Sequence, residues 1–213
     1  VFAQPLPTVV ESREPRRLPK DWQTVDEACT FLQSHATDPS SDPFFCYVGL
    51  RLPHPPFATN RHWFDRVDRE AVDLPVPDRP SHPTLDYQRI TKNWTHGFDE
   101  ETVRTTRTIY YAMLAETDAM IGTVIDKLGE LGLDEDTIIV AASDHGELAL
   151  EHSDYYKMSM YEASVRVPLI VAGPGVSRGK TVDQPVSLID LHPTLLELGG
   201  LEPSEAIDGE SLV

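Results

Sequence analysis

The sequence predicts an α/β domain, with a mainly parallel sheet sandwiched by helices and ligands collecting beyond the carboxyl ends of the strands. Three observations carry that expectation. Short apolar runs, FFCYVGL at 44–50, TIIVAA at 137–142 and VPLIVA at 167–172, read as strands buried on both faces. Between them lie segments whose apolar residues recur at helical spacing. Beyond two of the strand ends the chain turns abruptly titratable, with His54 past the first and Asp144-His145 past the second. At 213 residues and 40% hydrophobic content, the chain has the size of one ordinary domain and can bury a sizeable core.

Each element has its own reason. Residues 1–20, rich in Pro and Arg and without periodicity, read as an extended arm or connector. From Thr24 to His35, the positions Val25, Ala28, Cys29, Phe31 and Leu32 trace one helical face, and the Asp-Pro-Ser-Ser-Asp-Pro run that follows breaks the helix. Residues 53–98, dense in Pro, His and Asp, read as a long irregular excursion over one end of the sheet, a kind of loop that is often functional. Asp99 is placed to cap a helix whose first turn carries Glu100 and Glu101, where negative charge complements the helix dipole. Its inward stripe is expected to run from Tyr110 and Met113 through Ile121 and Ile125 to Leu131, and Gly132 to end it. Asp190 can cap a last helix over Leu191 to Leu198.

Composition excludes some functions. A formal net charge of -17 argues against nucleic acid as a partner, because phosphate binding demands clustered Lys and Arg. An anionic small substrate then requires local cations or a metal to overturn the global field. No run approaches the roughly 18 apolar residues of a membrane span, and residues 1–10 carry neither a basic region nor a cleavage site. The first residue is not Met and the final IDGESLV stops in mid-pattern, so the chain reads as a segment of something longer. Cys29 and Cys46 fall outside any Cys-x-x-Cys spacing and read as core thiols. Asn93-Trp94-Thr95 fits a glycosylation sequon, which would imply a secretory route.

The segment IIVAASDHGELALEH, 138–152, concentrates the chemistry. Asp144 offers a hard oxygen and His145 a nitrogen, a mixture more comfortable for zinc than for calcium, although chemistry alone leaves the metal open. The spacing is not that of a helical zinc protease, since the next histidine, His152, lies seven residues on. A plain β-turn, with Asp144 accepting backbone N–H bonds and Gly146 at positive φ, explains the same residues. His54 stands between Pro53 and Pro55, which restrict its backbone and preset the ring for anion binding or general acid work; a histidine packed in a proline-rich loop is the plain alternative. Lys157 is a cation in an acidic stretch, and beside a metal it can clamp an anionic oxygen. Tyr155, Tyr156, Met158, Met160 and Tyr161 read as packing rather than a stacking platform.

Together these segments resemble the sulfatases of the alkaline-phosphatase superfamily. In that family a strand ends in Ser-Asp-His-Gly-Glu, a Lys follows, and then a Tyr-Glu-x-x-x-x-x-Pro-Leu segment; here these are Ser143 to Glu147, Lys157, and YEASVRVPL from Tyr161 to Leu169. The longer stretches GLRLPHP (49–55), TKNWT (91–95), YYAMLAETDAMIG (110–122), SDHGELALEH (143–152) and YKMSMYEAS (156–164) resemble one branch of it. Members of that branch are lysosomal exo-sulfatases that remove 2-O-sulfate from glucuronate residues of glycosaminoglycans such as heparan, chondroitin or dermatan sulfate. The resemblance runs from about Asp21 to the end. It implies one calcium ion (Ca2+) held in part by Asp144 and His145, with His54 and Lys157 contacting the sulfate and His54 also able to protonate the leaving oxygen. It implies a sulfated saccharide substrate and a lysosomal or secreted protein, with Asn93 a glycan acceptor.

The departures are as informative. The family's nucleophile is a formylglycine made from Cys in Cys-x-Pro-x-Arg, yet Cys29 is followed by Thr-Phe-Leu-Gln and Cys46 by Tyr-Val-Gly-Leu. Also missing are the paired N-terminal Asp ligands, the Lys-x-His-type segment and the C-terminal subdomain. Residues 21–213 are therefore expected to be the later part of a catalytic domain, inactive in isolation. Two other expectations stand beside this one. The first is a zinc phosphodiesterase or phosphatase of the same superfamily, which would require a further His where Lys157 stands. The second is a non-catalytic fragment that binds sulfated glycan.

Overall fold

In the computed structural model, which describes residues 7–38, 40, 42–202 and 207–213, the chain divides into a large unit, Val1–Pro174, and a small one, Gly175–Val213. Residues 1–6 of the expected arm lie outside the described residues. The rest of the arm belongs to the large unit and is pinned there. Its strand β1 (Thr8–Val10) pairs in parallel with β2 (Ala58–Asn60), Thr8 opposite Ala58 and Val10 opposite Asn60.

Two helices carry the core of the large unit. Helix α1 runs over Pro19–Thr37, five residues earlier than periodicity alone suggests, because Pro19 supplies a preset φ in its first turn. It buries Trp22, Val25, Ala28 and Leu32 at helical spacing. Three further helices follow: α2 (Arg61–Phe64), α3 (Pro83–Lys92) and the long α4 (Glu100–Glu130). The side chain of Asp99 caps α4, accepting from the Thr102 N–H at 2.7 Å. Gly132, at φ +66°, lets Leu133 N–H reach the Leu128 carbonyl and close the helix as a Schellman turn.

The buried face of α4 is the expected one only in part: Met113 and Leu128 are buried, and Tyr110 and Val124 pack against the core. It runs through Ile109, Ala112, Met113, Glu116 and Met120, while Ile121 and Ile125 are exposed. A buried carboxylate sets this phase. Glu116 accepts from the Arg17 backbone N–H at 3.0 Å, from Arg17 Nε at 3.3 Å and from Trp22 Nε1 at 3.1 Å, tying arm and α1 to the middle of α4. Those partners make an acid tolerable on the buried face.

The strands need two corrections. Phe44–Leu50 forms no strand among the described residues, and Phe45 and Tyr47 are exposed. Apolar side chains on both faces fit a strand with neighbours on either side, and no described segment lies alongside to supply the backbone partners. The other two runs do form strands, β3 (Ile139–Ala142) and β4 (Leu169–Ala172), but they pair antiparallel, with Ile139 opposite Ala172 and Ala142 opposite Leu169. Between them lies the short helix α5 (Glu162–Val165). The expected irregular excursion over 53–98 also holds α2 and α3; Asn60 and His82 cap them by accepting from Trp63 N–H and Thr84 N–H.

In the small unit, α6 spans Leu191–Leu198 as anticipated. Asp190, however, does not cap it. Its carboxylate accepts from the Ser187 and Glu210 backbone N–H groups, which hold it below its ordinary range. No described helix is long and apolar enough to cross a membrane.

Candidate functional site

Strand β3 ends at Ala142, so Asp144 and His145 stand just beyond its carboxyl end. Two features fix the turn that follows. Gly146 N–H donates to the Ser164 carbonyl at 2.8 Å, and a Cβ on Gly146 would lie 2.0 Å from the Ala163 carbonyl oxygen, so only glycine fits against α5. The requirement is this close approach and not the expected positive φ, which Gly146 does not adopt. His145 Nδ1 faces the Gly146 carbonyl at 2.9 Å, and a carbonyl only accepts, so Nδ1 carries the proton and Nε2 keeps its lone pair. Lys157 Nζ donates to that lone pair at 2.7 Å, and a carboxylate oxygen of Asp144 lies 3.5 Å from it.

A strained turn returns the chain from His145 to Lys157. Ala149, Leu150, His152, Ser153 and Tyr156 all have positive φ, a conformation that costs each of them energy and persists only when the surroundings over-determine it. The clamps are visible. Glu147 Oε1 accepts from the Ala149 and Tyr156 N–H groups, and Arg107 of α4 donates to the Ala149 carbonyl. From α3, Arg89 grips Asp154 with Nε at 3.0 Å and Nη2 at 2.8 Å, both side chains nearly inaccessible, and donates also to the His152 and Pro80 carbonyls. Burial pushes the Glu147 carboxyl above the ordinary carboxylate range, outweighing the two N–H bonds and the nearby His145 and Lys157.

His54 reaches the same place from the other side. Asp21, buried in the first turn of α1, accepts from the Arg51 and Leu52 N–H groups at 3.1 and 2.9 Å, and His54 N–H closes a turn onto the Arg51 carbonyl. The His54 ring lies exposed, 6.2 Å between centroids from that of His145. A cleft of about 370 Å³ opens there, lined by His54, Pro55, Pro56, Lys92, Tyr156, Lys157 and Met158. The structure thus brings His54, Asp144, His145 and Lys157 together. Tyr155 packs in the core and Tyr156 packs against it beside Phe57 and Trp94, as expected, while Tyr156 and Met158 also line the cleft. Lys92 was missed because α3 was read as loop; the signal was Pro83 in the first turn and a Gln88–Lys92 pair one helical turn apart. Asn93 is exposed at the left-handed end of α3.

As a metal site the donors fit in part. Asp144 offers an 86% exposed carboxylate and His145 a lone pair at Nε2, but among the described residues no third His, Cys, Asp or Glu joins them. Six to eight oxygens for calcium, or four mixed ligands for zinc, would need other residues. Of the two expected core thiols, Cys29 is partly buried and burial pushes its thiol up, but Cys46 is exposed, and neither begins a Cys-x-Pro-x-Arg run.

Comparison with known proteins follows this geometry. The Sulfatase family model matches residues 8–201. Arylsulfatase K of Homo sapiens is 39% identical over 226 residues, covering 99% of this chain and 42% of its own, and arylsulfatase K of Bos taurus is 42% identical over 208, covering 91% and 38%. The chain therefore spans about two fifths of the curated relatives it matches. Among solved structures, a phosphonate monoester hydrolase from Silicibacter pomeroyi superposes with a TM-score of 0.75 at 30% identity, covering 89% of this chain and 40% of its own. A sulfatase-like protein from Bacteroides fragilis gives 0.72 at 25% identity, covering 90% and 40%.

Proposed function

The chain belongs to the sulfatase family and has the alkaline-phosphatase-like α/β fold, and from that premise we propose that the full-length protein hydrolyses sulfate esters, removing 2-O-sulfate from glucuronate residues of glycosaminoglycans. One observation carries the reading: His54, His145 and Lys157 converge beyond the end of β3, around a cleft in a strongly acidic protein. Lys157 is suited to neutralise a sulfate oxygen, and His54, which lines the same cleft, to hand a proton to the leaving sugar oxygen. Residues 21–213 form the later part of the catalytic domain in this reading, and a formylglycine nucleophile lies elsewhere in the full-length protein.

Asp144 and His145 would hold part of a calcium site. When bound, the ion would add positive charge where the sulfate oxygens sit. The His145 Nε2 lone pair cannot serve a metal and the Lys157 ammonium together, so engaging it would free Lys157 for the substrate. Asn93, exposed beside Thr95, would carry a glycan, in keeping with a lysosomal or secreted protein; loss of a glycosidase-sensitive mass in Thr95→Ala is the check.

A second reading has an observation of its own, the phosphonate monoester hydrolase at 30% identity. A phosphoester hydrolase of the zinc type would need another His where Lys157 stands. Elemental analysis of the purified full-length protein separates the two. The sulfate reading expects stoichiometric calcium; stoichiometric zinc with no calcium would favour the phosphoester reading.

A further inference from the structure

We propose that Lys92 forms a second anion subsite in the cleft beside Lys157, selecting substrates that carry another negative group next to the scissile sulfate. The inference rests on the sulfate reading above and extends it to substrate choice.

Lys92 ends α3, and its direction is set one turn earlier. Gln88, at the i−4 position on the same face, donates from Nε2 to the Met158 carbonyl at 2.7 Å, so this face of α3 turns toward the 156–158 segment. Lys92 itself is half-buried and lines the cleft, and its ammonium makes no ion pair or hydrogen bond among the described residues. The chain as a whole carries 35 acids against 18 bases. Among the described residues lining the cleft none is an acid, and Asp144 stands behind them beside His145. Two ammonium groups and an imidazole thus converge where the global field should oppose any anion.

The rest of the wall fits a sugar ring. Pro55, Pro56 and Met158 offer apolar surface, and Tyr156 offers an aromatic face. Burial pushes the Tyr156 phenol up to about 12, so it stays a neutral hydroxyl. A saccharide whose sulfate meets Lys157 and His54 would lie on this surface and present its next acidic group to Lys92. That group is either the uronate carboxylate or a second sulfate, and both share the chemistry Lys92 recognises.

Three saccharides tell these apart in the full-length protein: a 2-O-sulfated glucuronide, its carboxyl methyl ester, and that methyl ester bearing a second sulfate. Lys92→Gln is expected to raise KM about 10-fold for the substrate whose second anion it binds, to leave kcat and the singly charged ester within about two-fold, and to be rescued by Lys92→Arg. A preference for the free carboxylate over its methyl ester that Lys92→Gln erases assigns the carboxylate; erasure seen only with the disulfated ester assigns the sulfate. Equal losses on all three substrates, or unchanged KM values, overturn the proposal. Calorimetric binding of the same saccharides repeats the comparison without turnover. A protein that hydrolyses none of them thus counts against the sulfate reading, and a binding preference that survives Lys92→Gln counts against Lys92.

Discussion

Lys157→Ala in the full-length protein is expected to lower turnover of a sulfate ester by about 10²–10³-fold, the usual cost of removing one preorganised donor to developing charge. Among the described residues its ammonium donates to His145 Nε2, at the far end of a turn that five left-handed residues make costly. Replacing it by Arg should not restore the rate, because the planar fork cannot take the position of a compact ammonium. His54→Ala is expected to cost about 10²–10⁴-fold on a sugar sulfate and much less on an aryl sulfate with an acidic leaving group, since a good leaving group needs little protonation. Steady-state kinetics of both variants on both esters make the check. Wild-type rates in both would remove His54 and Lys157 from the site.

The second large effect is on stability. Arg89→Ala or Asp154→Ala is expected to cost about 3–5 kcal/mol, because either change leaves its partner charged and buried. That is a large fraction of the roughly 5–15 kcal/mol that holds a domain folded. The loss reaches the site as well: Arg89 also satisfies the Pro80 and His152 carbonyls, and without it the turn carrying Lys157 loses one of its buried clamps while Glu147 and Arg107 still hold it. An apolar pair, Arg89→Met with Asp154→Leu, should lose less than the sum of the two single changes. Denaturant unfolding measures both. A loss below about 1 kcal/mol for Arg89→Ala would mean that this clamp does not hold the turn.

Much of the site could be read from the sequence because its residues lie at element ends, where composition changes sharply. Asp144 and His145 follow a strand immediately, so their position beyond β3 was legible from order alone; His54 was expected past a strand at 44–50 that does not form, and its approach to His145 was not legible. Packing against distant residues was not. The phase of α4 turned on Glu116 meeting Arg17 and Trp22, and a periodicity count assigns an acid to the solvent side. Phe44–Leu50 has the composition of a central strand, yet pairing is a property of neighbours and none of the described segments is one. Gly146 was read as a turn glycine when its role is contact with α5. Lys92 went unseen because dense proline and histidine masked a ten-residue helix, α3, whose start Pro83 in fact marks. In each case a local signal was present, and a contact remote in sequence decided its meaning.

Release of inorganic sulfate from a 2-O-sulfated glucuronide by the purified full-length protein, measured beside release of phosphate from the matching phosphate ester, tests the central claim most directly. The account predicts sulfate release with little or no phosphate release. Phosphate release without sulfate would contradict it.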